Sequence, residues 1–537
     1  MADNLTQALK TPRGSMTLRP IQALSLLEVG QYGGGFLPIK VGGGKTLLSL
    51  LAPRMLAGAR PLLLLPAALR DKTAREMNEY REHWILPPHI QIVSYQTLST
   101  INNADFLEEY QPTMIVCDEA HHLKNVSAAV TKRVSRYMKA NPATAFVAMS
   151  GTMTKRSVRD FEHLARWCLR DRSPVPREFV ALDQWSRALD VNVQASRRML
   201  PGALAELRTD PTESIRKAYQ RRLVQTPGVV ATQDKPLAIP LTLTSHVLES
   251  PGDHWTSLRD DWETPDGWEC VDGIEVWRHA RELAVGCYYR WDPRPPEDWL
   301  AARGAWGSVC RQILKNNRRQ LDSELQVVRE VQRGGYPPDV GKLYAEWKAI
   351  EPTFIPNVEA VWESDHAVQW IARWAEAGPG IVWISHRFLG DRLADLLSLP
   401  YYGGGGLDAS TGRSIETHDP ATQGACVASI AANGTGRNLQ AWNRNLIVGV
   451  PPNGAQWEQL LGRTHRPGQT RPVHADVLFG CFEDVKAFWQ AVADAKYAEE
   501  ITGQAQKLCH LDLQGVETVH TIGRLPGAQW RKGKPPQ

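Results

Sequence analysis

Residues Met114–Asn125 read MIVCDEAHHLKN. An apolar run, Met114-Ile115-Val116-Cys117, ends in two adjacent carboxylates, Asp118 and Glu119. A short run of this kind predicts a buried parallel strand that carries the acids to its carboxyl edge, where open α/β sheets bind ligands. An acidic strand end alone is more often the mark of a helix cap or a solvated loop. Its partner upstream decides the reading. Phe36-Leu37-Pro38-Ile39 leads into Lys40-Val41-Gly42-Gly43-Gly44-Lys45-Thr46 and then a leucine-rich helix. Glycines at 42–44 let backbone N–H groups turn inward round an anion. Lys45 supplies a point charge for β- and γ-phosphates, and Thr46 a hydroxyl for Mg²⁺. The helix that follows adds its positive N-terminal dipole. The full pattern G-x-x-x-x-G-K-[ST] asks for glycine at 39, where the chain has Ile39.

The chain of 537 residues exceeds one ordinary core, so about two to four domains are expected. With 42% hydrophobic and 22% charged residues it reads as globular rather than disordered. A net charge of +4 permits a nucleic-acid partner only through a local patch. The cysteines are scattered and none forms C-x-x-C, which argues against a zinc ribbon or thiol redox motif and suits a reducing cytoplasm. The N-terminal stretch lacks the apolar core of a secretory signal, and no window reaches the length of a membrane span.

Read in order, residues 1–17 look like a loose leader. Pro61–Pro66 (PLLLLP), Ile90–Val93 and Ala145–Met149 are further strand signals separated by helical stretches, so a parallel doubly wound sheet is expected. Ser94–Leu98 reads as loop, and Ser150-Gly151-Thr152 ends the last strand. Residues 166–365 lose the strand signal. Tryptophans 255, 262, 268, 277, 291, 299 and 306 favour core packing between helices over base stacking. Arginine-rich pieces (Arg197-Arg198, Arg216–Arg222, Arg311–Arg319) suit a phosphate track and a solvated face equally. Strand–helix alternation resumes near 366, with strands at 380–387 (ending polar), 426–430, 445–450 and a closing one at 473–479. The glycines 403–406 read as a linker, and the tail with Arg531, Lys532 and Lys534 as mobile and basic.

Together these motifs resemble those of superfamily-two helicases and translocases, and within them the SWI/SNF-type branch of double-stranded DNA translocases. Leu18-Arg19-Pro20-Ile21-Gln22 resembles the adenine-reading Gln motif, and Gly42–Thr46 motif I in its G-x-G-K-T form, which dispenses with glycine at 39. Asp118-Glu119-Ala120-His121 resembles motif II, continued by Leu123-Lys124-Asn125. Ser150-Gly151-Thr152 resembles motif III and Gly434–Leu439 motif V. Gln459–Gln469 follows the motif VI pattern Q-x-x-G-R-x-H-R-x-G-Q throughout. Arg437 stands where that branch often has a smaller residue, and the middle region matches only loosely. The size resembles a bacterial or bacteriophage member in a host cytoplasm.

The resemblance implies an α/β fold of two RecA-like lobes, at 1–165 and 366–510, with a mainly helical middle at 166–365 and a tail at 511–537. It implies ATP and Mg²⁺ as cofactors. Gln22, with Arg19 beside it, would meet the adenine. Gly42, Gly43, Gly44, Lys45 and Gly436 would lie on the nucleotide, and Thr46 and Asp118 would hold the metal. Glu119 would activate water, with Gln459, Arg463 and Arg466 completing the catalytic set. His121, Ser150 and Thr152 would couple nucleotide state to motion. Pro66, Ser94, Gln96, Thr97, Gly434, Thr435, Arg437 and Asn438 would contact nucleic acid, duplex or branched DNA before RNA. The implied activity is ATP-driven movement on DNA. A strand-separating DNA or RNA helicase, or a nucleic-acid scaffold with a silent motor, are the alternatives. Protein partners through the middle region fit the same reading; a membrane does not.

Overall fold

A computed structural model describes residues 2–56, 60–191, 202–232, 237–249, 255, 257–316 and 321–515. Arg197-Arg198, Arg318-Arg319 and the basic end of the tail lie outside them. The fold is mixed α/β with two all-parallel sheets. The chain divides into two compact units: Met1–Thr232 with Trp291–Asn357 and Glu500–Gln504, and Gln233–Arg290 with Val358–Glu499 and Ala505–Gln537.

The first unit is built on β1 (Gly35–Leu37), β2 (Pro61–Leu65), β3 (Gln91–Ser94), β4 (Met114–Asp118) and β5 (Ala145–Met149), in the order β1-β5-β4-β2-β3. The apolar runs form strands because both faces are covered. Leu62–Leu65, Met114–Cys117 and Phe146–Met149 are essentially unexposed, and each buried leucine contributes about 2 kcal/mol of transfer free energy. Register sets the site: Met149 lies opposite both Leu37 and Asp118, so the turns after β1, β5 and β4 leave the sheet side by side.

Residues 1–17 are not a loose leader. Ala2–Leu9 is a helix whose Leu5 and Leu9 join the core under Leu18 and Trp84. The Thr6 hydroxyl accepts from Leu18 N–H at 3.1 Å.

Residues 166–365 do not form one helical body. Trp291–Asn357 counts with the first unit as helices Glu297–Asn316, Glu324–Gln332 and Pro338–Ile350 round Trp306. Arg133 and Arg136, on the helix Ala129–Ala140, grip Asp322 at 2.9 and 3.0 Å and so fix this bundle to the sheet domain. Trp255, Trp299 and Trp306 are core residues, as the packing reading expects. Arg216 donates to Leu189 O, Arg221 to Glu213 and Arg222 to Pro174 O, so this arginine run serves internal bonds.

The second unit begins with β6 (Leu241–Val247), which reading the middle as helical missed. Its Leu-Thr-Leu-Thr alternation buries every second residue. β7 (Cys287–Trp291) and β8 (Val358–Trp362) form a separate pair. β9 (Ile381–Ile384), β10 (Tyr401–Tyr402), β11 (Cys426–Ser429), β12 (Arg444–Val448), β13 (Val473–Phe479) and β14 (Asp512–Gln514) join β6 in the order β10-β11-β9-β12-β13-β6-β14. β13 therefore does not close the sheet. β6 pairs beside it and β14, from the expected tail, beside β6. No helix among the described residues is long and apolar enough to cross a membrane.

Candidate functional site

The turn after β1 is a glycine cradle. Gly42 and Gly44 take φ of 83° and 79°, the left-handed region that glycine enters without penalty. A Cβ on Gly43 would stand 2.4 Å from Ile39 Cγ2, so the loop is also packed from behind. Gly44 caps the helix Lys45–Met55, whose leucines bury against the sheet and aim its N-terminus at the loop. Arg19 and Gln22 brace this loop. Gln22 Nε2 donates to Gly44 O at 3.1 Å, its Oε1 accepts from Arg19 N–H at 2.9 Å, and Arg19 Nη1 donates to Gly42 O at 2.7 Å. One N–H and one oxygen lone pair of the Gln22 amide are left over by these bonds.

Lys45, 9% exposed, sets its ammonium 3.1 Å from Glu119 Oε1 and 3.3 Å from Ile39 O. Glu119 follows β4 with φ 53°, a strained conformation for a side-chain-bearing residue. Ser150, on the turn from the intervening β5, donates to Glu119 Oε2 at 3.2 Å. His121 Nδ1 lies 3.3 Å from Glu119 Oε2, 3.0 Å from Ser150 Oγ and 3.3 Å from Thr152 Oγ1. The structure thus gathers Lys45, Glu119, His121, Ser150 and Thr152 into one hydrogen-bonded cluster.

The two carboxylates are pushed apart. Burial and then the Glu119 charge raise Asp118 well above the usual carboxylate range. Burial opposes ionisation of Glu119 too, but the Lys45 ammonium and His121 outweigh it and hold that carboxyl well below its ordinary value. The result is a carboxyl whose charged form a lysine favours, beside one whose charged form burial disfavours.

These residues fit a nucleoside triphosphate with Mg²⁺. The cradle excludes side chains, the helix start and Lys45 offer positive charge, and Asp118 is a buried carboxylate short of a cation. No group of three or more His, Cys, Asp or Glu side chains suited to a metal occurs among the described residues. Thr46 and Asp118 would be the few protein ligands that Mg²⁺ takes when phosphates complete its shell.

In the second unit, the helix Gly454–Thr464 carries Gln459 and Arg463, both buried. Arg463 Nε donates to Gln459 O at 2.8 Å. Arg463 Nη1 and Arg466 Nη1 both donate to the Arg437 carbonyl, each at 3.2 Å, and Arg466 also reaches Asn438 Oδ1. The 434–439 and 459–469 stretches therefore meet in one cluster. Gln459 Nε2 is buried without a hydrogen-bond partner. Gly436, at φ 76°, makes the turn that presents the Arg437 carbonyl. Gln469 has a bracing role: its amide nitrogen reaches the carbonyls of Gln440, Trp442 and Thr464 at 3.1, 2.8 and 3.2 Å.

The expected nucleic-acid contacts are unevenly exposed. Ser94-Leu98 is not loop: Tyr95–Ser99 is a short helix, and the buried Ser94 caps it by accepting from Thr97 N–H at 2.9 Å. Its Oγ is also 2.8 Å from Thr97 Oγ1. Gln96 accepts from Ala67 N–H at 2.9 Å and lies exposed; Pro66 is buried. Gly434 is buried, Thr435 half-buried and Asn438 exposed. The Arg437 guanidinium is occupied by Glu416 Oε2 (3.4 Å), Ser414 Oγ (3.3 Å) and Gly405 O (3.1 Å). Glycines 403–406 are thus the seat of Arg437 rather than a linker, and a Cβ on Gly406 would lie 2.2 Å from its Nη2.

Sequence reasoning missed two supports. Tyr95 Oη donates to Asp118 O at 2.8 Å and stacks on His122 at 5.0 Å, where burial lowers the imidazole to about 4. Glu416 clamps the 434–439 stretch from both Arg437 and Asn438 N–H. No local pattern marks either of them. In comparisons with known proteins, no family model matches the chain and no curated protein is significantly similar to it.

Proposed function

We propose that the protein is an ATPase of the superfamily-two type, with two RecA-like lobes, which couples hydrolysis to movement on duplex DNA. The observation that carries the reading is the Lys45–Glu119 pair, 3.1 Å apart between a glycine cradle and an acidic strand end. Two motifs read separately in the sequence meet there at one point.

In this reading Lys45, the loop N–H groups and the helix start hold the phosphates. Thr46 and Asp118 would hold Mg²⁺, which would supply positive charge beside the phosphate oxygens and favour the ionised form of Asp118. Glu119, ionised and oriented by Ser150 and His121, holds the attacking water and takes its proton. Arg463 and Arg466 are the cations assigned to the transferring phosphoryl group. DNA contacts would fall on phosphates, through the exposed Gln96 and Asn438 with Thr97 and Thr435, and would not read sequence.

The test is steady-state ATP hydrolysis at low salt, without nucleic acid and with single-stranded DNA, duplex DNA, forked DNA or RNA. Stimulation by plain duplex, falling steeply with added salt, is the expected outcome. Stimulation by single strands or forks alone would replace translocation with strand separation. No hydrolysis under any condition would sink the enzymatic reading.

A further inference from the structure

β1 is the outermost strand of the first sheet, and residues Gly228–Thr232 cover its open edge. Phe36 N–H donates to Gly228 O at 2.9 Å, Val230 N–H to Phe36 O at 3.2 Å, and Thr232 N–H to Pro38 O at 2.9 Å. The alternation is that of a parallel ladder, and Phe36 bridges Val229 in that sense. Thr232 then reaches past the strand: its Oγ1 accepts from Lys40 N–H at 3.2 Å. It therefore grips Ile39 from both sides. Ile39 is the residue whose carbonyl receives Lys45 Nζ and whose side chain backs Gly43.

A second distant residue meets the same turn. The Gln504 side-chain amide donates to the Pro38 carbonyl, so both lone pairs of that oxygen are used. Thr232 and Gln504 are 4% and 3% exposed. The segment around Gln504 is fixed in turn to the helix Ile215–Gln225, where Arg216 Nη1 donates to Glu500 Oε2 at 2.7 Å. Gly503, at φ 77°, leaves the space that the Gln220 side chain fills; a Cβ there would be 2.5 Å from Gln220 Nε2.

Thr232 and Gln504 also stand at two of the three points where the chain passes from the first unit into the second, 232/233 and 504/505, the other being 357/358. We infer that Thr232 and Gln504 are positioning residues for the phosphate loop, and that they tie the order of that loop to the order of the two connecting segments. Three consecutive glycines have the largest backbone freedom to lose, so a loop built from them is ordered by what holds its flanks. Here the flank is held by hydrogen bonds from positions 192 and 466 residues away. Coupling of this kind is reciprocal: a ligand that orders the loop must also order the segments that hold it. The inference deepens the nucleotide reading and rests on it for the identity of that ligand.

Hydrogen exchange on the full chain tests it, using wild type, Thr232→Val, Thr232→Ser and Gln504→Ala, each with and without a non-hydrolysable ATP analogue and Mg²⁺. Without ligand, Thr232→Val and Gln504→Ala are expected to speed exchange over residues 38–46 about fivefold, the weight of one buried hydrogen bond. Thr232→Ser, which keeps the hydroxyl, is expected to match wild type. The analogue is expected to slow exchange in wild type at 228–232 and 500–504 as well as at 38–46. Unchanged exchange at 38–46 in Thr232→Val and Gln504→Ala overturns the inference. So does an equal rise across the whole first unit, which marks a merely structural role. Protection by the analogue confined to 38–46 overturns the coupling. If the analogue protects nothing in wild type, the nucleotide reading falls and the coupling to that ligand with it. The ligand-free arms still decide the positioning role.

Discussion

Lys45 in the first unit and the Arg463–Arg466 pair in the second are two cation sites, and the protein holds them in different ways. Lys45 is neutralised on the spot by Glu119, whose other oxygen is held by Ser150. Arg463 and Arg466 are brought together on one backbone oxygen, the Arg437 carbonyl. The first arrangement pairs opposite charges directly, and the second sets two like charges on one neutral dipole. Under the proposed reading the two therefore fail differently when altered: the base side loses the chemical step outright, and the arginine side loses rate without losing the nucleotide.

The largest effect is expected at the paired cluster. Lys45→Ala and Glu119→Gln both reduce ATP hydrolysis to background, but they separate in binding. Glu119→Gln frees Lys45 from its carboxylate and binds an ATP analogue at least as tightly as wild type, whereas Lys45→Ala binds it weakly. Fluorescent-nucleotide titration beside turnover assays checks this, and normal turnover in Glu119→Gln removes that residue as the base. Arg466→Ala is expected to lower kcat by about 10³ or more with a small change in nucleotide affinity. A loss confined to affinity would leave the two cation sites alike, and the comparison would collapse.

Which parts were legible in the sequence follows from how local their causes are. β2, β4 and β5 read directly as apolar runs because strands buried on both faces need no partner pattern to announce them. Gly42–Thr46 and Asp118-Glu119 were legible because backbone freedom and charge are residue properties. β6 carried an alternating signal, but it lies in a region read as helical. Its place beside β13 is set by a pairing more than 200 residues distant. Tyr95–Ser99 was hidden because Tyr and Thr favour strands, and only the Ser94 cap with burial of Tyr95 and Leu98 turns it helical. Thr232, Gln504 and Glu416 were invisible for the same reason: each acts on a loop remote in sequence, and no local pattern reports a long-range hydrogen bond.

The smallest expected effect reads the cost of the paired cluster in stability rather than rate. Asp118 is buried beside Glu119 and its carboxyl is raised. A group whose folded-state value lies above its unfolded value stabilises the fold fully below the unfolded value, and that contribution is lost as pH rises through the folded one. The window runs from the ordinary aspartate value, near ~3.9, up to the raised value. Glu119, held low, works in the opposite direction, and only under more acidic conditions than the ordinary glutamate value. Asp118→Asn removes the first dependence and leaves the second. The variant is therefore expected to be inactive yet more stable than wild type at pH 8 without nucleotide, by about 1 kcal/mol. The difference should shrink as pH falls through the window. Thermal melts of both proteins from pH 8 to pH 5 measure it. A variant less stable than wild type at pH 8, with a gap that does not vary with pH, would mean that Asp118 is well solvated in the folded chain. It would then hold no unmet demand for a cation, and the contrast between a neutralised lysine and an uncompensated acid beside it would be lost.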